Sequence, residues 1–183
     1  MSFDSEFDKV VMIEGGYSDH PSDSGGKTMY GITEAVARAN GFAGEMKDLS
    51  LDEAKRIYKA QYWDLLNLDE IDALSPAVAH EMFDTGVNMG TGRAAMFLQR
   101  ALSRLNRRGR DYPDVAVDGQ VGPMSVQALR TFMSVRGKPQ EAERVVVELL
   151  NAQQGARYLE ITEAADKNED FLYSWVLQRV VKR

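Results

Sequence analysis

Apolar residues recur along this chain at intervals of three and four, which predicts helices rather than strands. Phe3, Phe7, Val10 and Val11 fall at i, i+4, i+7 and i+8 and predict a first helix over residues 3–13, stopped by Gly15-Gly16. Ser50-Leu51-Asp52-Glu53 is a capping box, and Ala54, Ile57, Tyr58, Gln61, Tyr62 and Leu65 follow it with helical period. Ser75-Pro76 supplies an N-cap with proline at the first helical position, and Ala79, Met82 and Phe83 form the stripe behind it. Leu98, Ala101, Leu102 and Leu105 mark another helix, and Pro123 opens a short one containing Val126, Leu129 and Met133. Ala142, Val145, Val146, Leu149, Gln153 and Ala156 predict a long amphipathic helix, with Phe171, Trp175 and Val176 on a closing one. Strand alternation is poor everywhere. The glycine-rich turn at Gly86–Gly92 is the one plausible lobe boundary, and it is too short to separate independent domains. The expectation is therefore a mainly α-helical protein of two closely packed lobes, residues 1–90 and 91–183.

Composition removes several alternatives. At 44% apolar and 27% charged, the 183 residues read as an ordinary globular chain. No stretch approaches the ~20 apolar residues that span a membrane. The start, MSFDSEFDKVVMIEGG, carries acids where a secretory signal carries bases, so export by a standard cleaved signal is not expected. Without cysteine there is no disulfide, no thiolate nucleophile and no cysteine-ligated metal. His20 and His80 are the only histidines, and His80 lacks a second histidine four residues on, so a zinc helix is not made. Neither a metal nor an organic cofactor is expected.

The net charge of −6 conceals an asymmetry. Residues 1–90 hold 7 basic and 17 acidic side chains, a balance of −10, and residues 91–183 hold 15 and 11, a balance of +4. An acidic first half argues against nucleic acid as partner. Arg100, Arg104, Arg107 and Arg108 share one face at helical spacing. They read either as a docking strip for an anionic envelope or as a solvated helix face.

The chemistry concentrates in residues 14–33, EGGYSDHPSDSGGKTMYGIT, a long glycine-rich loop inside a helical protein. Glu14 falls at the C-terminal end of the first helix, where the negative end of the helix dipole disfavours a carboxylate and pushes its pKa upward. A general acid needs that direction of shift if it is to stay protonated near neutral pH. A turn can fold Asp23 back toward Glu14, with the Thr28 hydroxyl beside them. A carboxylic acid facing a second polar pair, with room for water, suits hydrolysis of a glycosidic bond. Residue types alone leave helix capping and turn formation open for all three.

The block EGGYSDHPSDSGGKTMYGIT resembles the glutamate-bearing motif of glycoside hydrolase family 108, a lysozyme-like group of N-acetylmuramidases that includes phage endolysins and proteins once called secretion activators. Phe83-Asp-Thr-Gly-Val-Asn-Met-Gly90, Leu98-Gln99 and Val117-Asp-Gly-Gln-Val-Gly122 resemble the helical predicted peptidoglycan-binding domain usually joined to it. Together the two resemblances span roughly residues 5–180. They imply a lysozyme-like fold in which Glu14 corresponds to the catalytic glutamate, and Asp23 and Thr28 to the motif Asp and Thr. Met29 departs from the family, which commonly has Asn there.

Around that site, Tyr17 and Tyr30 either stack on sugar faces or pack the loop onto the core. Tyr62 falls to the core and Trp63 to a groove wall. Asp84 and Asn88 are placed in the turn between lobes, with turn chemistry or substrate binding as their two roles. Asp118-Gly119 is a turn signal that lacks the further ligands of a calcium loop. The resemblance implies a monomeric peptidoglycan hydrolase that cleaves the β-1,4 bond between N-acetylmuramic acid and N-acetylglucosamine, with the glycan lying between the Glu14–Tyr30 loop and the helices after it. It further implies an endolysin made in the bacterial cytoplasm and acting on the wall after release or holin-type export. A non-enzymatic wall-binding module and a host wall-remodelling enzyme aiding secretion are the alternatives.

Overall fold

The computed structural model describes residues 3–14, 16–18 and 26–181, with side chains only to residue 11 in the first of these segments. The protein is mainly helical, and its chain divides between Asp64 and Leu65 into two compact units.

The first unit opens with helix α1 (Phe3–Glu14). A small antiparallel hairpin follows, β1 (Thr28–Met29) and β2 (Ile32–Thr33), and then α2 (Glu34–Ala39) and α3 (Leu51–Tyr58). The hairpin escapes the periodicity analysis because two residues per strand are too few to show alternation. Its turn carries the signal instead: Tyr30 and Gly31 both have positive φ, 53° and 74°, as a two-residue primed turn requires. Gly31 takes that conformation freely and Tyr30 does not. Thr33 then caps α2 by accepting from Val36 N at 3.3 Å. The Ser50–Glu53 capping box forms as expected, with Glu53 N donating to Ser50 Oγ at 3.2 Å and Ser50 N to Glu53 Oε2 at 3.1 Å.

Past Tyr58 the backbone widens into a π turn over Lys59–Trp63, closed by Asp64 N donating to Lys59 O at 2.9 Å. One extra residue in the turn rotates everything after it by about 100° relative to an uninterrupted helix. The expected stripe of Tyr58, Tyr62 and Leu65 is therefore displaced by one. Trp63 and Leu66 are buried at 1% exposure, whereas Leu65 is 58% exposed and Tyr62 only half-buried. Trp63, expected at a groove wall, is buried instead, with its ring edge-on to Phe3 at 5.4 Å.

The second unit contains α4 (Leu68–Leu74), α5 (Pro76–Met89), α6 (Thr91–Leu105), α7 (Pro123–Val135), α8 (Pro139–Ala164) and α9 (Glu169–Arg179). Ser75 caps α5 as expected, accepting from Val78 N at 3.2 Å. Helix α5 packs against α4, α6 and α8, and its Val78, Met82 and Phe83 are buried. It also runs straight through Gly86, which corrects the expected turn at Gly86–Gly92. A Cβ on Gly86 would stand 2.9 Å from Leu66 Cδ1, so the glycine serves close packing, and the break comes at Gly90, where φ is 88°. Helix α6 ends at Leu105, and Arg107 and Arg108 beyond it have φ of 55° and 64°. The four arginines read as one helix face are therefore two on the helix and two past its end. Gln99, 1% exposed, explains the motif around Asp118: its Nε2 donates to Asp118 Oδ1 (2.8 Å) and Gln120 O (2.9 Å), and its Oε1 accepts from Gly119 N (3.0 Å). No helix among the described residues is long and apolar enough to cross a membrane.

Candidate active site

Helix α1 ends at Glu14, and its last turn carries no basic residue to offset the partial negative charge there. The Glu14 side chain, and all of His20 and Asp23, lie outside the described residues. Ser18, four residues past Glu14, pairs with Thr28 in an isolated antiparallel bridge, Ser18 N donating to Thr28 O at 3.0 Å and Thr28 N to Ser18 O at 2.9 Å. These two bonds join the ends of the segment that carries Asp23. Both backbone groups of Thr28 are thus engaged, and its half-buried hydroxyl makes no hydrogen bond to another described residue.

Tyr58, at the end of α3, holds this region together, and the sequence did not single it out as more than a core residue. Its ring, 2% exposed, meets Phe7 of α1 edge-on at 5.5 Å and Tyr62 at 5.3 Å. Its hydroxyl donates to Tyr30 O at 3.0 Å. A buried tyrosine needs a partner for its hydroxyl, and here the partner is the backbone of the strained turn residue. One side chain therefore ties the helix that ends in Glu14 to the hairpin that begins with Thr28. Tyr30 is anchored through its carbonyl, and Tyr17 is 45% exposed. Glu6, two turns before Glu14, is 1% exposed and bonded to Lys9 at 2.8 Å.

Asn88 belongs to the second unit and sits on α5, in helix rather than in a turn. Its Nδ2 donates to Asp84 O at 2.7 Å and to Asp84 Oδ1 at 3.2 Å. Asp84 accepts in turn from Gln154 of α8 at 3.4 Å and lies 3.7 Å from Arg179 of α9. Burial pushes the nearby Tyr158 phenol up to about 12, with Arg179 opposing and Asp84 adding to the shift. Asp84 and Asn88 therefore take part in a polar joint between helices of this unit.

Comparison with known proteins accounts for nearly the whole chain. Residues 7–90 match the glycosyl hydrolase 108 family, and residues 93–180 match the predicted peptidoglycan domain family. The matches meet at the Gly90 break, whereas the compact units divide at Asp64, so α4 and α5 carry hydrolase-family sequence yet pack in the second unit. No curated protein matches the chain. Among solved structures it resembles SagA from Brucella abortus, with a TM-score of 0.60 and 23% identity over 98% of this chain and 96% of that one. At that identity the likeness is one of fold.

Proposed function

With residues 7–90 belonging to glycosyl hydrolase family 108 and residues 93–180 to the predicted peptidoglycan domain, the protein is a peptidoglycan hydrolase, and we propose that it is a muramidase of the endolysin type. It cleaves the β-1,4 bond between N-acetylmuramic acid and N-acetylglucosamine. Residues 1–90 form its catalytic lobe and residues 91–183 its wall-binding lobe. Glu14 donates a proton to the glycosidic oxygen, and Asp23 with Thr28 positions the attacking water or stabilises the cationic sugar. Tyr17 and Tyr30 border the glycan.

The observation that carries this reading is the end of α1. The helix ends at Glu14 with no basic residue in its last turn, and the negative end of a helix dipole favours the protonated form a general acid needs. Thr28 is fixed to the segment immediately after it by the Ser18 bridge. An enzyme that lyses from within must stay on an insoluble substrate, and a wall-binding lobe in the same chain as the catalytic one serves that end.

Mass spectrometry of fragments released from purified peptidoglycan tests the proposal. Products with reducing N-acetylmuramic acid ends are expected. Products lighter by one water would mean that the substrate's own hydroxyl attacks, and ends at N-acetylglucosamine would mean that another bond is cut. No release at all would leave a wall-binding module. Clearing of cells that co-express a holin, and none without it, is expected of an endolysin.

A further inference from the structure

A groove of about 360 Å³ runs between α6 and α8 in the second unit, within the ~300–1,000 Å³ typical of ligand sites. The two helices run antiparallel, since Gln153 Nε2 of α8 donates to Phe97 O of α6 at 3.0 Å while Ala142 and Leu105 line one further pocket together. One wall carries Arg93, Arg100 and Arg104, at i, i+7 and i+11 of α6, and Arg157 faces them from α8. The floor is apolar: Phe97 and Ala101 are buried, with Ala152 and Ala156 exposed beside them. Among the described residues, Arg93, Arg100 and Arg104 make no ion pair, whereas Arg107 is spent on Asp111. Three unneutralised guanidiniums over an apolar floor call for a ligand that is both anionic and partly apolar.

We infer that this groove binds the peptide stems of peptidoglycan through their carboxylates; the inference rests on the wall-hydrolase reading above. The shape argues for a chain-like ligand and against a membrane. A bilayer needs several large apolar side chains that project outward, and here Leu149, 36% exposed, is the one such residue of a lining whose buried Phe97 lies in a trough between two helices. Arg100 and Arg104 are one helical turn apart, ~6 Å along the axis. Carboxylates one to two residues apart in an extended peptide are separated by ~4–7 Å, so the two arginines meet two of them in register. Stem alanines supply the methyl groups for the floor. At the Arg93 end, Glu160, paired with Arg157 at 2.8 Å, is an acid within reach of the free amine of a stem diamino acid. A guanidinium holds a carboxylate with two parallel hydrogen bonds, which gives geometry as well as charge.

The test uses the full-length protein and calorimetric titration with the synthetic stem tetrapeptide L-Ala-γ-D-Glu-diaminopimelate-D-Ala. Binding is expected, weakened about tenfold or more for each guanidinium lost in R100E and R104E, and weakened by raised salt. Ala156→Trp fills the groove without altering charge at an exposed position, and it should abolish binding with the melting temperature retained. Peptide-free glycan strands should bind the parent and all three variants alike. Equal affinity of the tetrapeptide for parent and A156W would overturn the assignment, as would binding to phosphatidylglycerol vesicles without binding to the tetrapeptide. If the parent releases fragments from whole peptidoglycan but ignores the tetrapeptide, this groove proposal alone is wrong. If it releases none, the hydrolase mechanism is wrong instead.

Discussion

Residues 3–64 and residues 65–181 reach stability by different routes. The first unit has no described helix longer than the twelve residues of α1, and beside a small core around Phe7, Tyr58 and Trp63 it relies on single devices: a capping box, a two-residue turn, a bridge between Ser18 and Thr28, and one tyrosine hydroxyl on one carbonyl. The second has α8, twenty-six residues long, and a set of buried apolar side chains on every helix from α5 to α8. Short helices are marginal alone and depend on what closes their ends, and loops anchored on such a frame are where chemistry is commonly found. The difference also separates the kinds of change each unit should feel. The chemistry proposed for the first unit would hang on individual atoms, whereas the second should respond mainly to burial and charge.

The sharpest way to break that comparison is Glu14→Gln. The side chains are isosteric but the amide cannot supply the proton, so wall clearing should fall by ~10²–10⁴-fold with the thermal melt nearly unchanged. Retention of more than about a tenth of the activity would remove Glu14 from the role. Next comes Trp63→Ala, which should lower stability by ~3–5 kcal/mol in urea denaturation, because the ring is 1% exposed against Phe3. A groove residue would lose activity with little change in midpoint, and that result would restore Trp63 to the substrate. Asp23→Ala should cost more activity than Thr28→Ala if the carboxylate bears charge in the transition state and the hydroxyl only orients it. Equal small losses with lowered melting temperatures for both would recast the pair as loop structure. The smallest effect belongs to the second unit. Tyr112 donates its hydroxyl to Leu102 O at 2.9 Å, and burial pushes its phenol up to about 12, as it does for Tyr158. A folded pKa above the unfolded value of ~10 means the stabilisation is complete below pH 10 and fades as pH rises toward 12. Phenolate absorbance should therefore show these two tyrosines ionising well above pH 10. Ionisation of all seven tyrosines near pH 10 in the folded protein would contradict their burial.

Local chemistry made much of the fold legible. Ser50–Glu53 and Ser75-Pro76 act within a few residues of themselves, so the sequence alone located the starts of α3 and α5. So was the mainly helical class. The periods of α6 and α7 were equally readable, because an amphipathic stripe is written in one continuous segment, but on α8 Val145, Leu149 and Ala156 of the expected stripe are exposed, and Val147, Leu150 and Tyr158 are buried beside Val146 instead. The tertiary structure decided the rest. Neither the π turn after Tyr58 nor the resulting exchange of Trp63 for Tyr62 in the core is visible in a pattern that assumes 3.6 residues per turn. Gly86 resembles a breaker until Leu66 is found 2.9 Å from where its Cβ would be. Arg93 and Arg157, sixty-four residues apart, share a groove only because α6 and α8 pack antiparallel. Caps and stripes depend on neighbours along the chain, but close approach, register after an inserted residue and the pairing of distant charges depend on which surfaces meet, and no local sequence window contains both.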